Sequence, residues 1–428
     1  MLKISLNLRN LQLFLFYLLP LFAISGPFLT DFAVVLISLS FIYKSLKEKR
    51  YYFYNNAFFI FFLIWYLIII FSSLISSDPL FSLESSLFYL RFGFFALAVW
   101  QILEDNSNAM QNFTFFILFA FLILILDGYL QFFRGYNIFG YPYHYNHRLG
   151  SLFGTEHVLG KYLAYLFPLV FALVTRLKFF QYYSIISLGL LFIFTDILIY
   201  ISGERSAFAL LMLSSVSILI LTKNWKMIRL VTLSISFSLI ILISFTYENV
   251  YDRMIDLTLK QTNLVNNTSG DEKNITDNDK LIIFTAHHQI MYSTAINMFI
   301  DKPYFGVGPK MYRKLCSEEK YSNNNDSCST HPHNYYVQLL AETGIIGTIP
   351  LLAVFIFVIF TLSKHLVNIV FNRKWLLSDF RLSLIICILV SLWPIIPSGN
   401  FFNNWLSFLI YLPIGFLIYD LKSKINNK

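Results

Sequence analysis

Apolar residues fall in twelve runs along the chain, at about residues 11–28, 31–43, 57–75, 87–103, 113–130, 158–174, 184–201, 207–221, 228–245, 345–362, 382–396 and 405–419. About 20 apolar residues in helical conformation cross the hydrocarbon core of a bilayer, so the pattern predicts an all-α polytopic membrane protein with about 12 transmembrane helices. The connections are short except for residues 247–334. The chain therefore divides into residues 1–246 with transmembrane helices 1–9, a large polar loop with short helices at 247–334, and residues 335–428 with helices 10–12. Within the loop, residues 263–280 (NLVNNTSGDEKNITDNDK) are too polar to pack, while residues 281–300 are apolar enough for a helix lying on or beside the bundle. No internal repeat is visible.

Composition agrees. Hydrophobic residues make up 57% of the 428 positions, charged residues 13%, and the mean hydropathy is +0.62. A soluble globule could not hide that much apolar surface. The 47 Phe and 27 Tyr are read as facing lipid or neighbouring helices.

The net charge of +8 is spread over short loops, with no basic stripe of the kind that tracks phosphates in nucleic acid. Its distribution carries topology instead. Lys3, Arg9, Lys44, Lys47, Lys49, Arg50, Arg176, Lys178, Lys223, Lys226, Arg229, Lys364, Arg373, Lys374, Lys422, Lys424 and Lys428 all fall on one side. By the positive-inside rule both termini are cytoplasmic, the protein sits in a bacterial inner membrane, and the long loop is periplasmic. The N-terminal run lacks a clear small-residue cleavage site and is read as an uncleaved helix.

Three cysteines, Cys316, Cys328 and Cys387, exclude a disulfide-rich scaffold and a four-thiolate metal site; no metal and no other cofactor is expected. Cys316 and Cys328 lie in the oxidising compartment and close a short loop just before His331. They are expected to form a disulfide, with Cys387 reduced inside its helix.

The densest candidate chemistry is His331-Pro332-His333-Asn334, at a membrane boundary and leading into a spanning helix through Gly344 and Gly347. Asn334 can cap that helix, which sets the His333 imidazole beside unpaired N–H groups where an anion is favoured. Arg205, in Gly203-Glu204-Arg205-Ser206, stands at another helix mouth on the same side. Its planar fork suits phosphate oxygens; the competing reading is an interfacial arginine at lipid headgroups, or one paired to Glu204. Arg148 and Arg313 lie on that side too. Arg91 falls inside an apolar run, where a charge is either functional or paired within the bundle, for instance with Asp127.

The segment from His333 resembles the O-antigen ligase and polymerase superfamily of bacterial surface-glycan assembly, whose signature is His-Asn, nine residues, Gly, two residues, Gly. His333, Asn334, Gly344 and Gly347 fit it without a gap. DKPYFGVGPKMYRKLC is similar to the family's Pro-x-x-Gly-x-Gly segment, YISGERSAFALL to its Ser-x-x-Arg segment, and RLGSLFGTEHVLGKYLAYLFPL to a further block. The resemblance spans about residues 127–360.

It implies a GT-C-type glycosyltransferase of lipopolysaccharide or surface-polysaccharide biosynthesis. The donor would be a glycan on undecaprenyl diphosphate, and the acceptor a hydroxyl of lipid A-core (a ligase) or of a lipid-linked repeat (a polymerase). Transfer to a protein hydroxyl is a further option. The implied step is a metal-independent inverting displacement in which His333 takes the acceptor proton and Arg205, Arg148 and Arg313 meet the diphosphate. Arg91, His331, His288, Glu156 and Asn334 complete the expected substrate-binding set, with Glu156 orienting an arginine or a sugar hydroxyl or forming a structural pair. One departure stands out: His287 and His288 occupy a position where the family suggests an arginine. Either a histidine binds phosphate there, or Arg313 has taken over, or the histidines are loop residues without a role. The competing classes are a secondary transporter or lipid-linked oligosaccharide flippase, which would show repeated halves and broken helices, and a nonenzymatic scaffold.

Overall fold

A computed structural model describes residues 8–143, 148–176, 182–261, 285–322 and 327–423. The expected polar stretch 263–280 and the start of the expected helix 281–300 lie outside them.

The described chain is helical throughout. Its helices are α1 (Leu8–Ser25), α2 (Pro27–Lys47), α3 (Ala57–Leu74), α4 (Pro79–Ser86), α5 (Leu90–Asp105), α6 (Ala109–Arg134), α7 (Leu159–Arg176), α8 (Tyr182–Ile201), α9 (Arg205–Leu221), α10 (Lys226–Thr246), α11 (Glu248–Tyr251), α12 (Leu257–Gln261), α13 (Ala286–Asp301), α14 (Tyr312–Leu315), α15 (Tyr335–Asn372), α16 (Asp379–Ser391) and α17 (Asn404–Ser423). Among the described residues, eight helices are long and apolar enough to cross a membrane. The apolar runs fall on helices with three differences: the run at 11–28 crosses the break between α1 and α2 at Gly26, that at 87–103 begins in a 3-10 turn ahead of α5, and the helix of the run at 382–396 stops early, at Ser391, ahead of Pro394 and Pro397.

Local chemistry sets several starts. Asn56 accepts the Phe59 amide at 3.0 Å and Asp78 the Phe81 amide at 3.2 Å, with Pro79 in the first helical position of α4. Side chains then decide the packing. α7 is buried along almost its whole length, and Gly415 of α17 lets α5 approach so closely that a Cβ there would stand 2.8 Å from the Ala96 carbonyl oxygen. Large apolar side chains such as Phe245, Phe357, Phe360 and Phe371 point outward, an arrangement suited to lipid.

Several buried charges are paired across helices. Arg229 on α10 makes two bonds to Asp196 on α8, at 2.8 and 3.0 Å, with both side chains fully buried. Asp420 on α17 accepts Arg176 and Arg381, each at 2.6 Å. Arg91 does not reach Asp127. It pairs with Asp31 of α2 at 2.8 Å, because both stand near the N-terminal ends of adjacent helices. Asp127 is spent on the following loop, accepting the Ser151 hydroxyl at 2.6 Å and the Ile138 amide at 3.0 Å.

At one end of the bundle the α13–α14 segment builds a small second core from Ala295, Met298, Val307, Met311, Tyr312, Leu315 and Tyr321 against Ala341. The turns α3–α4, α6–α7, α8–α9 and α16–α17 meet it there, tied by bonds such as Ser82 hydroxyl to Pro309 carbonyl at 2.8 Å.

Candidate functional site

The turn Ser202–Arg205, between α8 and α9, is the hub of that end. The Leu149 amide donates to the Ser202 carbonyl at 3.2 Å, which brings Arg148 alongside. Arg253 donates from Nε to the Gly203 carbonyl at 3.1 Å. Glu204 is buried, and its two oxygens accept the amides of Gly160 at 2.6 Å and Lys161 at 3.2 Å, closing the first turn of α7 onto the start of α9. Gly160 permits this contact: a Cβ there would lie 2.6 Å from the Ser202 hydroxyl.

Four cations, Arg148, Lys161, Arg205 and Arg253, thus surround one carboxylate. Among the described residues none of the four forms an ion pair. Arg205 is not paired to Glu204; it donates to Thr258 at 3.2 Å and Gln261 at 2.7 Å on α12. Among the described residues the buried Nε of Arg148 has no partner. Burial and the nearby charges of Arg148 and Arg205 lower the Arg253 guanidinium to about 10, and burial pushes Glu204 up to about 7 against the pull of Lys161. Excess positive charge in a partly desolvated setting favours a polyanion.

The histidines gather beside this cluster. The ring centroids of His331 and His333 are 4.1 Å apart, and those of His288 and His333 5.5 Å. His287 and His288 belong to the first turn of α13 and not to a loop, with His288 Nδ1 hydrogen-bonded to the Thr285 hydroxyl at 2.7 Å. His331 is 8% exposed; its Nδ1 meets the Thr330 hydroxyl at 2.8 Å, while Nε2 has no partner among the described residues. Burial, more than any neighbour, depresses His333 to about 4 and His331 to about 3, and it lowers His288 too; the charge of Lys161 adds to all three. These imidazoles are neutral bases near neutral pH.

His333 is held by the α16–α17 turn. Its φ of +58° is unusual for a residue with a side chain, and its carbonyl accepts the Ser398 amide at 2.8 Å. Asn334 caps α15 by accepting the Tyr336 and Val337 amides at 3.0 and 3.2 Å, and donates to the Pro394 carbonyl at 2.7 Å.

The glycines of the signature have a structural reason. α15 breaks at Gly344, where φ is +64°, and residues 303–308 lie in the break. Pro303 and Tyr304 carbonyls accept the Ile345 and Ile346 amides at 2.8 and 3.2 Å, while Val307 and Gly308 amides donate to Ala341 and Glu342 carbonyls at 2.9 and 2.8 Å. Backbone groups orphaned by the break are thereby paired. Side chains are excluded: a Cβ on Gly306 would stand 2.4 Å from Glu342 backbone, and one on Gly344 2.4 Å from Tyr304 backbone.

Residues 186–352 match the model of the O-antigen ligase family. That region, and not the whole chain, is similar to the O-antigen ligase and polymerase superfamily. No curated protein matches it. The family region runs from α8 into α15 and so contains the Ser202–Arg205 turn, Arg253, the α13 histidines, His333 and both signature glycines, but leaves Arg148 and Lys161 outside.

Of the residues singled out in the sequence, Arg148 and Arg205 meet at the hub, and His288, His331, His333 and Asn334 meet beside it. Arg313 is exposed on α14 and acts electrostatically on His331 and Glu342. Arg91 is spent on Asp31. Glu156 is exposed and, among the described residues, makes no ion pair; Glu204 holds the carboxylate position in the cluster. Lys161, Glu204 as an anchor, Arg253 and the 392–403 turn were not legible as site residues, since each acts across more than 40 positions of sequence.

Cys316 and Cys328 form a disulfide with Cα atoms 5.1 Å apart, and Cys387 is free and buried in α16. Closing so short a loop removes about 3 kcal/mol of unfolded-chain entropy. Alkylation without reductant followed by mass spectrometry should find one reactive thiol after unfolding, and three after reduction; finding three in both would exclude the bridge.

Proposed function

We propose that this protein is a glycosyltransferase that moves a glycan from undecaprenyl diphosphate to an acceptor hydroxyl, of the O-antigen ligase or polymerase type. The observation that carries the reading is the group of four cations at the Ser202–Arg205 turn, none in an ion pair among the described residues, set beside a neutral His333. The acceptor oxygen attacks the anomeric carbon, its proton passes to His333, and the bond from that carbon to the diphosphate oxygen breaks with inversion. The lipid diphosphate leaves with the electron pair, and Arg148, Arg205 and Arg253 stabilise its charge. Arg313 is too exposed to share this role to the same extent, and Arg91 is given no part in it.

The proposal extends to placement. Twelve helices in a GT-C-type arrangement span a bacterial inner membrane, with both termini cytoplasmic and the cation-histidine site facing the periplasm, as the asymmetry of Lys and Arg supports. The acceptor is lipid A-core for a ligase and the end sugar of a lipid-linked repeat for a polymerase.

Purified protein in liposomes, given defined lipid-linked donor and either acceptor, tests the reading. Transfer should proceed in EDTA, and Arg205→Ala should weaken donor binding at least about tenfold, the loss expected for a charge-assisted bidentate contact, and also slow turnover. Absence of transfer to both acceptors, or strict dependence on added magnesium or manganese, would replace this mechanism. Movement of intact donor across the bilayer without glycan transfer would make the protein a flippase.

A further inference from the structure

We propose that Lys161 is the cation that contacts the sugar-side phosphate of the donor, bridging the arginine cluster and the histidines. This rests on the donor-binding reading above and resolves the position where the family suggests an arginine and this chain has His287 and His288.

Three observations carry it. Lys161 stands in the first turn of α7, and its amide is fixed to Glu204 Oε2 at 3.2 Å, so the residue is anchored at the same turn that gathers Arg148, Arg205 and Arg253. Among the described residues its ammonium forms no ion pair; Glu204 bonds the α7 amides and leaves the Lys161 Nζ free for a ligand. The same ammonium is close enough to act on His288, His331 and His333 together, which no other cation of the cluster does. The alternatives fail on geometry. His288 is part-buried with its Nδ1 engaged by Thr285, and Arg313 is exposed on α14.

The chemistry follows from that placement. As the acceptor oxygen bonds to the anomeric carbon and His333 takes its proton, the electron pair of the breaking bond goes to the bridging phosphate oxygen. Charge grows there in the transition state, and a cation at that oxygen contributes to turnover more than to ground-state binding. Lys161 has a second effect. The groups facing His333 are His287 and His288 from α13, His331 and the Ser329 hydroxyl (3.3 Å from Nε2) from its own loop, Lys161 from α7 and, at its carbonyl, the Ser398 amide from the α16–α17 turn. Lys161 is the ammonium among them, and its charge disfavours protonation of the base.

The test compares wild type, Lys161→Met, Lys161→Arg and Arg205→Ala in proteoliposomes, measuring undecaprenyl diphosphate binding, kcat and the pH profile. For Lys161→Met we expect kcat to fall about 100-fold, the loss typical of one donor to a developing oxyanion, with binding changed less than about tenfold. The acid limb of its profile should move to higher pH, because a positive charge near the base has gone. Lys161→Arg should recover most of kcat. A purely structural role would lower the thermal midpoint and leave the limb in place, and that outcome overturns the inference. So does normal kcat in Lys161→Met. If wild type itself binds no undecaprenyl diphosphate, the donor reading fails; if wild type binds it, Arg205→Ala loses it and Lys161→Met behaves as wild type, only the Lys161 assignment fails.

Discussion

His333→Ala should lower turnover by about 100-fold to 10,000-fold while leaving donor binding close to normal, because a general base contributes in the transition state and not to the ground-state complex. The cations proposed to meet the diphosphate sit on α7, α9, the 148–149 segment and the turn at Arg253, so removing the imidazole leaves them intact. The pH dependence has a definite sign. Burial holds His333 near 4, below its ordinary value, so the base form persists until the pH falls through about 4. The acid limb of kcat/KM should therefore lie well below 6.5. A limb near 6.5 would mean that His333 of the free protein is less buried than its packing shows, or that another group is the base. Near-normal turnover of His333→Ala in folded protein would falsify the base assignment.

That assignment depended on a motif, and motifs are legible only where chemistry is local. His333 and Asn334 are adjacent, and Asn334 caps its own helix within three residues, so the sequence displays the whole unit. The apolar runs were legible for a similar reason, since a spanning-length helix satisfies its backbone internally except where it breaks, as α15 does at Gly344. Arg205 was visible from its place at a helix mouth. Lys161 was not, because nothing in GTEHVLGKYL tells that Glu204, 43 positions away, will bind its amide. Arg91 misled for the same reason: from sequence alone its counter-ion was a choice among carboxylates in several helices, and the register of α2 against α5 chose Asp31. The turn that holds the His333 carbonyl through Ser398 reads as an ordinary Pro-Gly-Asn loop, and only the packing of α16 and α17 brings it to the histidine.

The signature glycines were recognisable as a pattern, but their reason is visible only in the break of α15, and it yields the second large effect. Gly344→Ala should destabilise the protein and reduce transfer at least about 100-fold, although residue 344 touches neither histidine nor arginine. Two costs add. A residue with a Cβ at a φ of +64° gives up about 1 kcal/mol relative to glycine, and the new methyl would lie 2.4 Å from the Tyr304 carbonyl carbon and oxygen, which are backbone and cannot rotate away. Overpacking of that kind costs about 1–3 kcal/mol more. Relief requires residues 303–308 to lift out of the break, which would unpair the Ile345, Ile346, Val307 and Gly308 amides and detach the small core that carries the disulfide. The histidine segment follows that disulfide by three residues, so His331 and His333 lose their fixed relation to the cations, and about 1 Å of misplacement is enough for a 100-fold loss. Ser82→Ala, which removes a single hydroxyl bond to Pro309 from the same interface, should cost about 1 kcal/mol and spare activity. Thermal unfolding and transfer measured on both variants decide the matter: equal, mild effects would show that residues 303–308 merely rest on α15, whereas a large effect confined to Gly344→Ala is what a backbone lock at the break requires.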